Sequence, residues 1–287
     1  MSERNFVKTP SGTIAYQEQG AGPVALFVHG VIVNSHLWRH QLAGLSAVRR
    51  CIAVDLMGHG ATSIAADQDV SFEAQARMLA EVMDALDLDK VDLVANDSGT
   101  GIAQIFTANH PERLRSLVLT NGDVHDNWPP KDFSGFLSMV AAGGLEDTLR
   151  GMAEDKARFR GPDGLGGAYE QPEKVSDETI DVYLQPLLTD PARLHDLERF
   201  ILAFDNRQTV GLVDKLKKLD VPTLVVWGTG DIFFGVEWSR WLEQTIPGVK
   251  QRLELEGGRL FLPEERAAEV NAAVLSFWKQ HAPLSGG

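Results

Sequence analysis

Cysteine is nearly absent: Cys51 stands alone in 287 residues, so no intrachain disulfide can form. It sits in Cys51-Ile52-Ala53-Val54, which reads as a buried strand, and an inert core thiol is expected. Basic residues are in the minority, 27 Lys and Arg against 40 Asp and Glu, for a formal net charge of −13. Nucleic acid and anionic membrane surfaces attract basic patches, so neither is expected as a partner. No apolar run approaches the ~20 residues of a membrane span. Met1-Ser2-Glu3-Arg4-Asn5 has no apolar stretch of the kind that signal peptides carry, so a cytoplasmic protein is expected. The sequence also lacks an HExxH motif, a Cys/His cluster and paired His at ligand spacing, so no metal is expected. Neither the first buried strand nor the glycine-bearing turn near residue 97 leads into G-x-G-x-x-G. A dinucleotide, or any other cofactor, is therefore not expected.

What is present is ordinary globular composition, 44% apolar and 23% charged, in a chain long enough for one large α/β domain with an insertion. Phe6 to Thr9 and Thr13 to Tyr16 flank Pro10-Ser11-Gly12 and read as a hairpin. Continuous apolar runs follow at Val24 to Val28, Cys51 to Val54, Val91 to Ala95 and Leu117 to Leu119, as in strands covered on both faces. Helical patterns separate them at Leu37 to Leu45, Phe72 to Leu86 and the stretch from Ile102 to Ala108. From Val124 to about Lys217 no strand is apparent. Helical patterns lie near 133–142, 177–188, 191–204 and 208–218, around a glycine-rich loop at 161–167. Alternation then resumes with a strand at Thr223 to Trp227, a helix near 236–245, a strand at Arg252 to Leu255 and a helix from Glu264 to Gln280. The expected organisation is a core of 1–123 and 218–287 with a helical cap inserted over 124–217.

Alternating strands and helices imply a mostly parallel sheet whose reactive groups gather at the carboxyl ends of the strands. Five such ends carry suggestive residues: His29-Gly30, Asp55, Asp97, Asn121 to Asp123, and Asp231. The stretch around Asp97 is the most distinctive. An apolar run enters Asn96-Asp97-Ser98-Gly99 and a helical pattern leaves it at once.

On these residues the sequence resembles the α/β-hydrolase superfamily, and within it the branch with an Asp nucleophile, the haloalkane dehalogenases and epoxide hydrolases. His29-Gly30 with Leu37-Trp38-Arg39 is similar to the oxyanion loop and its helix. Asp55-x-x-Gly58-x-Gly60-x-x-Ser63 is similar to the turn after the next strand, and His110-Pro111-Glu112-Arg113-Leu114 to the end of the elbow helix. Trp227-Gly228-Thr229-Gly230-Asp231 resembles the strand-end acid, and Phe261-Leu262-Pro263-Glu264-Glu265 the segment after the catalytic His. The resemblance implies an α/β-hydrolase fold with a mostly parallel eight-stranded sheet. It also places Asp97 at the nucleophile position of the elbow, where the family motif G-x-S-x-G has Ser and this chain has Ala95 for the first glycine.

The sequence departs from the family at four positions. Leu260 stands where the catalytic His is expected, with Arg259 before it. Val31 replaces the halide-gripping Asn of dehalogenases and Ser98 their Trp. The oxyanion-loop Pro of epoxide hydrolases is missing from Val31 to Trp38.

A carboxylate at 97 can attack an epoxide, alkyl halide or activated acyl carbon and form an ester. Backbone N–H groups of Val31 and Ser98 are expected to hold the oxyanion. Hydrolysis of that ester needs a base, and its loss costs roughly 10²–10⁴-fold. His125, after the fourth parallel strand, is the candidate substitute, and Asp231 the candidate orienting acid. His29, His36 and Trp128 are the other candidates for the pocket wall, where a small apolar organic substrate is expected. His29 also has a structural reading beside the turn, Asp231 one as a helix cap, and Asp97 one as a helix N-cap. Three functions follow: an atypical hydrolase of a small epoxide, ester or halide; a lyase, isomerase or cyclase using Asp97 as general acid or base; and a binding protein without catalysis.

Overall fold

A computed structural model describes residues 4–282. The start at Met1-Ser2-Glu3 and the end of the 218–287 range lie outside the described residues. Eight strands form one sheet: β1 (Arg4–Thr9), β2 (Gly12–Gln19), β3 (Val24–Val28), β4 (Arg50–Val54), β5 (Val91–Asp97), β6 (Leu114–Gly122), β7 (Thr223–Gly228) and β8 (Val249–Leu255). Their spatial order is β1-β2-β4-β3-β5-β6-β7-β8. Only β1 with β2 and β2 with β4 pair antiparallel, and the rest of the sheet is parallel. The physical cause is legible in the burial. Every residue of β3, β5 and β7 is buried, which a strand achieves only with helices on both faces.

The tight turn at Pro10-Ser11-Gly12 closes the hairpin with Thr9 opposite Gly12. The segment from Leu37 to Leu45 begins instead as a short tight turn at Ser35–Trp38, capped by the Asn34 side chain, before the helix Arg39–Leu45. The final helix is likewise in two pieces, Leu262–Glu265 and Ala267–His281.

Between β6 and β7 the described residues contain helices and loops and no strand. The helices Leu145–Glu154 and Lys156–Arg160 lie in this segment, where the sequence reading has none. The signal for the first is present: Leu145, Leu149 and Met152 recur at helical spacing and are the buried side chains, packed toward the helix Asp177–Leu188. The segment is joined to the sheet layer by aromatic packing. Trp128 stacks on Phe72 with centroids 4.2 Å apart, and Phe204 meets both rings edge-on.

Candidate active site

Asp97 ends β5 and begins the helix Ser98–Asn109, with φ 59° and ψ −130°. L-residues avoid this backbone region, and holding one there costs on the order of 1–3 kcal/mol. The strain displays the carboxyl above the sheet instead of along it. Close packing makes the turn possible. A Cβ on Gly99 would lie 2.4 Å from the Val28 carbonyl oxygen, so only glycine lets the elbow helix approach β3 this closely.

The Asp97 carboxyl is 3% exposed. Its Oδ2 accepts the Val31 N–H at 2.9 Å. Burial raises its pKa and the charge of Asp231 raises it further, while the backbone N–H groups of Val31 and Ser98 oppose the rise. These are the two residues expected to supply oxyanion N–H groups.

A second carboxyl lies beside it. Gly122 of β6 is directly opposite Asp97 in the sheet register, and the next residue, Asp123, donates its N–H to the Asp97 carbonyl at 3.3 Å. Asp123 is also 3% exposed. Its Oδ2 has no hydrogen-bond partner, and the Ser98 side chain bonds the carboxyl. Burial and the neighbouring Asp97 push its pKa well above the carboxylate range. Contrast Asp92 at the opposite end of β5, equally buried, which accepts bonds from Arg49 at 2.7 Å, Arg115 at 2.9 Å and Ser116 at 2.7 Å. The sequence reading noted the strand end at 121–123 but assigned Asp123 no role. The available signal was its position, immediately after the strand that pairs with the elbow strand.

Asp231 follows β7. Its Oδ1 accepts the N–H groups of Phe233 at 2.8 Å and Phe234 at 3.2 Å, and its Oδ2 accepts from Asn121 at 2.8 Å. Burial raises its pKa to about 6. The helix-cap reading of Asp231 is corrected: the next helix, Glu237–Thr245, starts after Val236, and the two N–H bonds hold the loop before it. The charge of Asp231 acts on Asp97.

Asp97, Ser98 and Asp123 line one closed cavity of about 30 Å³ with Val31, Leu260 and Phe261. Phe133, Leu165, Ala168 and Phe204 from the helical segment complete the wall, with Phe233 and Phe234. That volume admits about two water molecules. None of the lining residues is basic. Leu260 occupies the wall where the family resemblance expects a histidine, and its carbonyl is tied to the elbow strand by Asn96 Nδ2 at 2.8 Å.

Four expectations for the pocket are corrected. His125 does not reach the cavity. Its backbone turns at φ 52° and its ring lies against Trp241 and Trp238, centroids 5.0 and 6.3 Å away, with Nδ1 on the Asp126 carboxylate at 2.9 Å. His36 lines a different, open groove with Arg39, His40 and Val182, because the turn at Ser35–Trp38 faces it away from the elbow. Trp128 is packed, not lining: besides Phe72, its Nε1 donates to the Thr209 hydroxyl at 2.7 Å. His29 is fully buried under the loop. Its Nε2 accepts the Leu56 N–H at 3.0 Å, and Nδ1 therefore carries the proton toward the Gly30 carbonyl at 2.7 Å. Burial lowers its pKa to about 4, so it is a neutral structural brace. Among the described residues no three His, Cys, Asp or Glu side chains are grouped to hold a metal ion, and no helix is long and apolar enough to cross a membrane.

The chain is similar to known proteins. A haloalkane dehalogenase of Mesorhizobium japonicum is 39% identical over 117 residues, 40% of this chain and 38% of that protein. The chain therefore matches well under half the length of that relative. Epoxide hydrolase 3 of Xenopus tropicalis is 23% identical over 97% of this chain and 78% of its own length. The structure of the epoxide hydrolase CorEH superposes with a TM-score of 0.80 at 18% identity, over 97% of this chain and 99% of that one, which speaks for the fold. The family model for the alpha/beta hydrolase fold matches residues 23–265, from β3 through the turn that carries Leu260, and the chain belongs to that family.

Proposed function

We propose that the chain is a hydrolase that opens a small apolar epoxide, ester or carbon–halogen bond through a covalent ester on Asp97. One observation carries this reading. The Asp97 carboxyl is presented on a strained elbow with Oδ2 already bound by the Val31 N–H, in a small cavity whose wall is apolar apart from Ser98 and Asp123. Attack by the other oxygen leaves the carbonyl oxygen of the new ester at the same N–H, where it stabilises the tetrahedral oxyanion of the second step. A buried carboxylate without a cationic partner is costly, which is the mark of a group kept for chemistry. The names of the relatives, haloalkane dehalogenase and epoxide hydrolase, support the substrate range.

The helical segment over 124–217 acts as a cap in this reading. It supplies Phe133, Leu165, Ala168 and Phe204 to the wall, and the cavity must widen by its movement to admit a substrate. The test is the intact mass of the protein after incubation with epoxides, haloalkanes and activated esters, beside Asp97→Ala and with product analysis. An adduct or product that vanishes in the variant supports the reading. Equal turnover by the variant sinks it.

A second reading is favoured by the carboxyl pair. Asp97 and Asp123 share one low-dielectric cavity that contains no imidazole, a setting for acid–base catalysis of elimination, isomerisation or cyclisation without a covalent step. Product carrying no oxygen from labelled water distinguishes it.

A further inference from the structure

We propose that Asp123 is the proton-transfer residue of this site, acid in the first half of the reaction and base in the second. The inference rests on the reading of Asp97 as nucleophile and adds the group that moves the proton.

Position comes first. Asp123 follows the residue opposite Asp97 in the sheet, is bonded to it through the backbone, and lines the same cavity. Availability comes second. Asp231 has both oxygens occupied, by two N–H groups and by Asn121. His125 lies against two tryptophans. Leu260 cannot carry a proton. Asp123 has a buried oxygen without a partner, and Asp92 shows that this chain pairs a buried carboxylate with arginines when its role is structural.

The surroundings also decide which carboxyl holds the proton. From the elbow, Asp97 and the Ser98 hydroxyl face Asp123. From the loop after β7, the charge of Asp231 acts on Asp97, and Arg259 acts on Asp231. Two carboxyls that share one buried cavity cannot both ionise cheaply. The Val31 N–H bond at 2.9 Å favours the Asp97 anion, whereas the buried Oδ2 of Asp123 has no hydrogen-bond donor. Asp97 is the anion and Asp123 the acid.

With an epoxide, Asp97 attacks a ring carbon, the C–O bond breaks, and the Asp123 proton goes to the departing oxygen. The result is a hydroxyalkyl ester on Asp97 and an Asp123 carboxylate. Water then adds to the ester carbonyl carbon and gives one proton to Asp123. The Val31 N–H holds the oxyanion, and collapse returns the Asp97 carboxylate, a diol and a reprotonated Asp123, with the proton of the water hydroxyl passing to the departing alkoxide. Water's oxygen enters Asp97, and an oxygen of Asp97 leaves in the diol.

The test uses Asp123→Asn with styrene oxide and 1-bromobutane. Bromide leaves without a proton, so with this probe Asp123 must release its own proton to solvent before it serves as base, and the variant is expected to form the butyl ester on Asp97 and to accumulate it. Epoxide opening is expected to fall by about 10²-fold or more. Turnover of both probes at the wild-type rate by Asp123→Asn overturns the proposal and leaves the Asp97 reading intact. Wild-type turnover that survives Asp97→Ala defeats both. A measurement independent of substrate and of the variant's folding is the infrared spectrum of the wild-type protein at neutral pH. A protonated-carboxyl band is expected, and it loses intensity in a folded Asp123→Asn. Its absence from the wild type overturns the proposal.

Discussion

The N–H of Val31 and the carboxylate of Asp97, 66 residues apart in sequence, are joined by a 2.9 Å hydrogen bond. The bond fastens the loop after β3 to the elbow after β5. It sets the Val31 backbone and the Asp97 side chain, the oxyanion site and nucleophile of the proposed reaction, in one operation, so either can be damaged by perturbing the other.

Gly30 makes that contact possible. A Cβ on it would lie 2.0 Å from Asp97 Oδ2 and 2.2 Å from Asp97 Cβ. Gly30→Ala is expected to abolish activity and to lower stability by about 1–3 kcal/mol through overpacking. Gly135→Ala is the control, because a Cβ there meets nothing within 4 Å inside the helix Ser134–Ala141. That substitution is expected to gain about 0.5–1 kcal/mol. Urea unfolding of the two variants gives opposite signs if the packing argument holds.

The elbow stores strain at Asp97, which has φ 59°. Asp97→Gly relieves both the backbone conformation and the buried charge. It is expected to be inactive and more stable than the wild type by about 1–3 kcal/mol. A less stable Asp97→Gly in denaturant titration contradicts the assignment of strain to this residue.

Stability is expected to respond to pH through the carboxyl pair. Asp97 and Asp123 both titrate above their unfolded values in the folded protein. The folded state then binds more protons than the unfolded one above about pH 4, so stability from these groups falls as pH rises through their raised values. Asp123→Asn removes that penalty. The melting temperature of the variant relative to wild type should climb between about pH 4 and pH 8. A difference independent of pH means that the pair does not titrate as described.

Leu260 lines the cavity beside the two acids. Leu260→His puts an imidazole on the wall at the position where the family resemblance expects one. If ester cleavage is limited by the base, breakdown of an Asp97 adduct should accelerate by roughly 10²-fold or more. The measurement is single-turnover mass decay, and an unchanged rate shows that the position cannot serve the ester.

The order of strands and helices was readable in sequence because parallel, doubly covered strands appear as continuous apolar runs at Val24 to Val28, Val91 to Ala95 and Thr223 to Trp227. The elbow was readable because a small polar turn with Gly99 joins one such run directly to a helix. Those are local signals, carried by neighbouring residues. The partnership of Asp97 with Asp123 is not local. It depends on the register that sets Gly122 opposite Asp97, and on a cavity closed by side chains from the segment between β6 and β7. The same holds for His125. Its place after a strand end suggested the pocket, but a left-handed backbone at that residue and two tryptophans on a distant helix, Glu237–Thr245, turn its ring elsewhere. Sequence determined which residues stand at the ends of the strands. Only the tertiary structure decided which of those side chains share a buried cavity with no basic residue in its wall, because burial and proximity across the sheet belong to the packed chain and to no stretch of it.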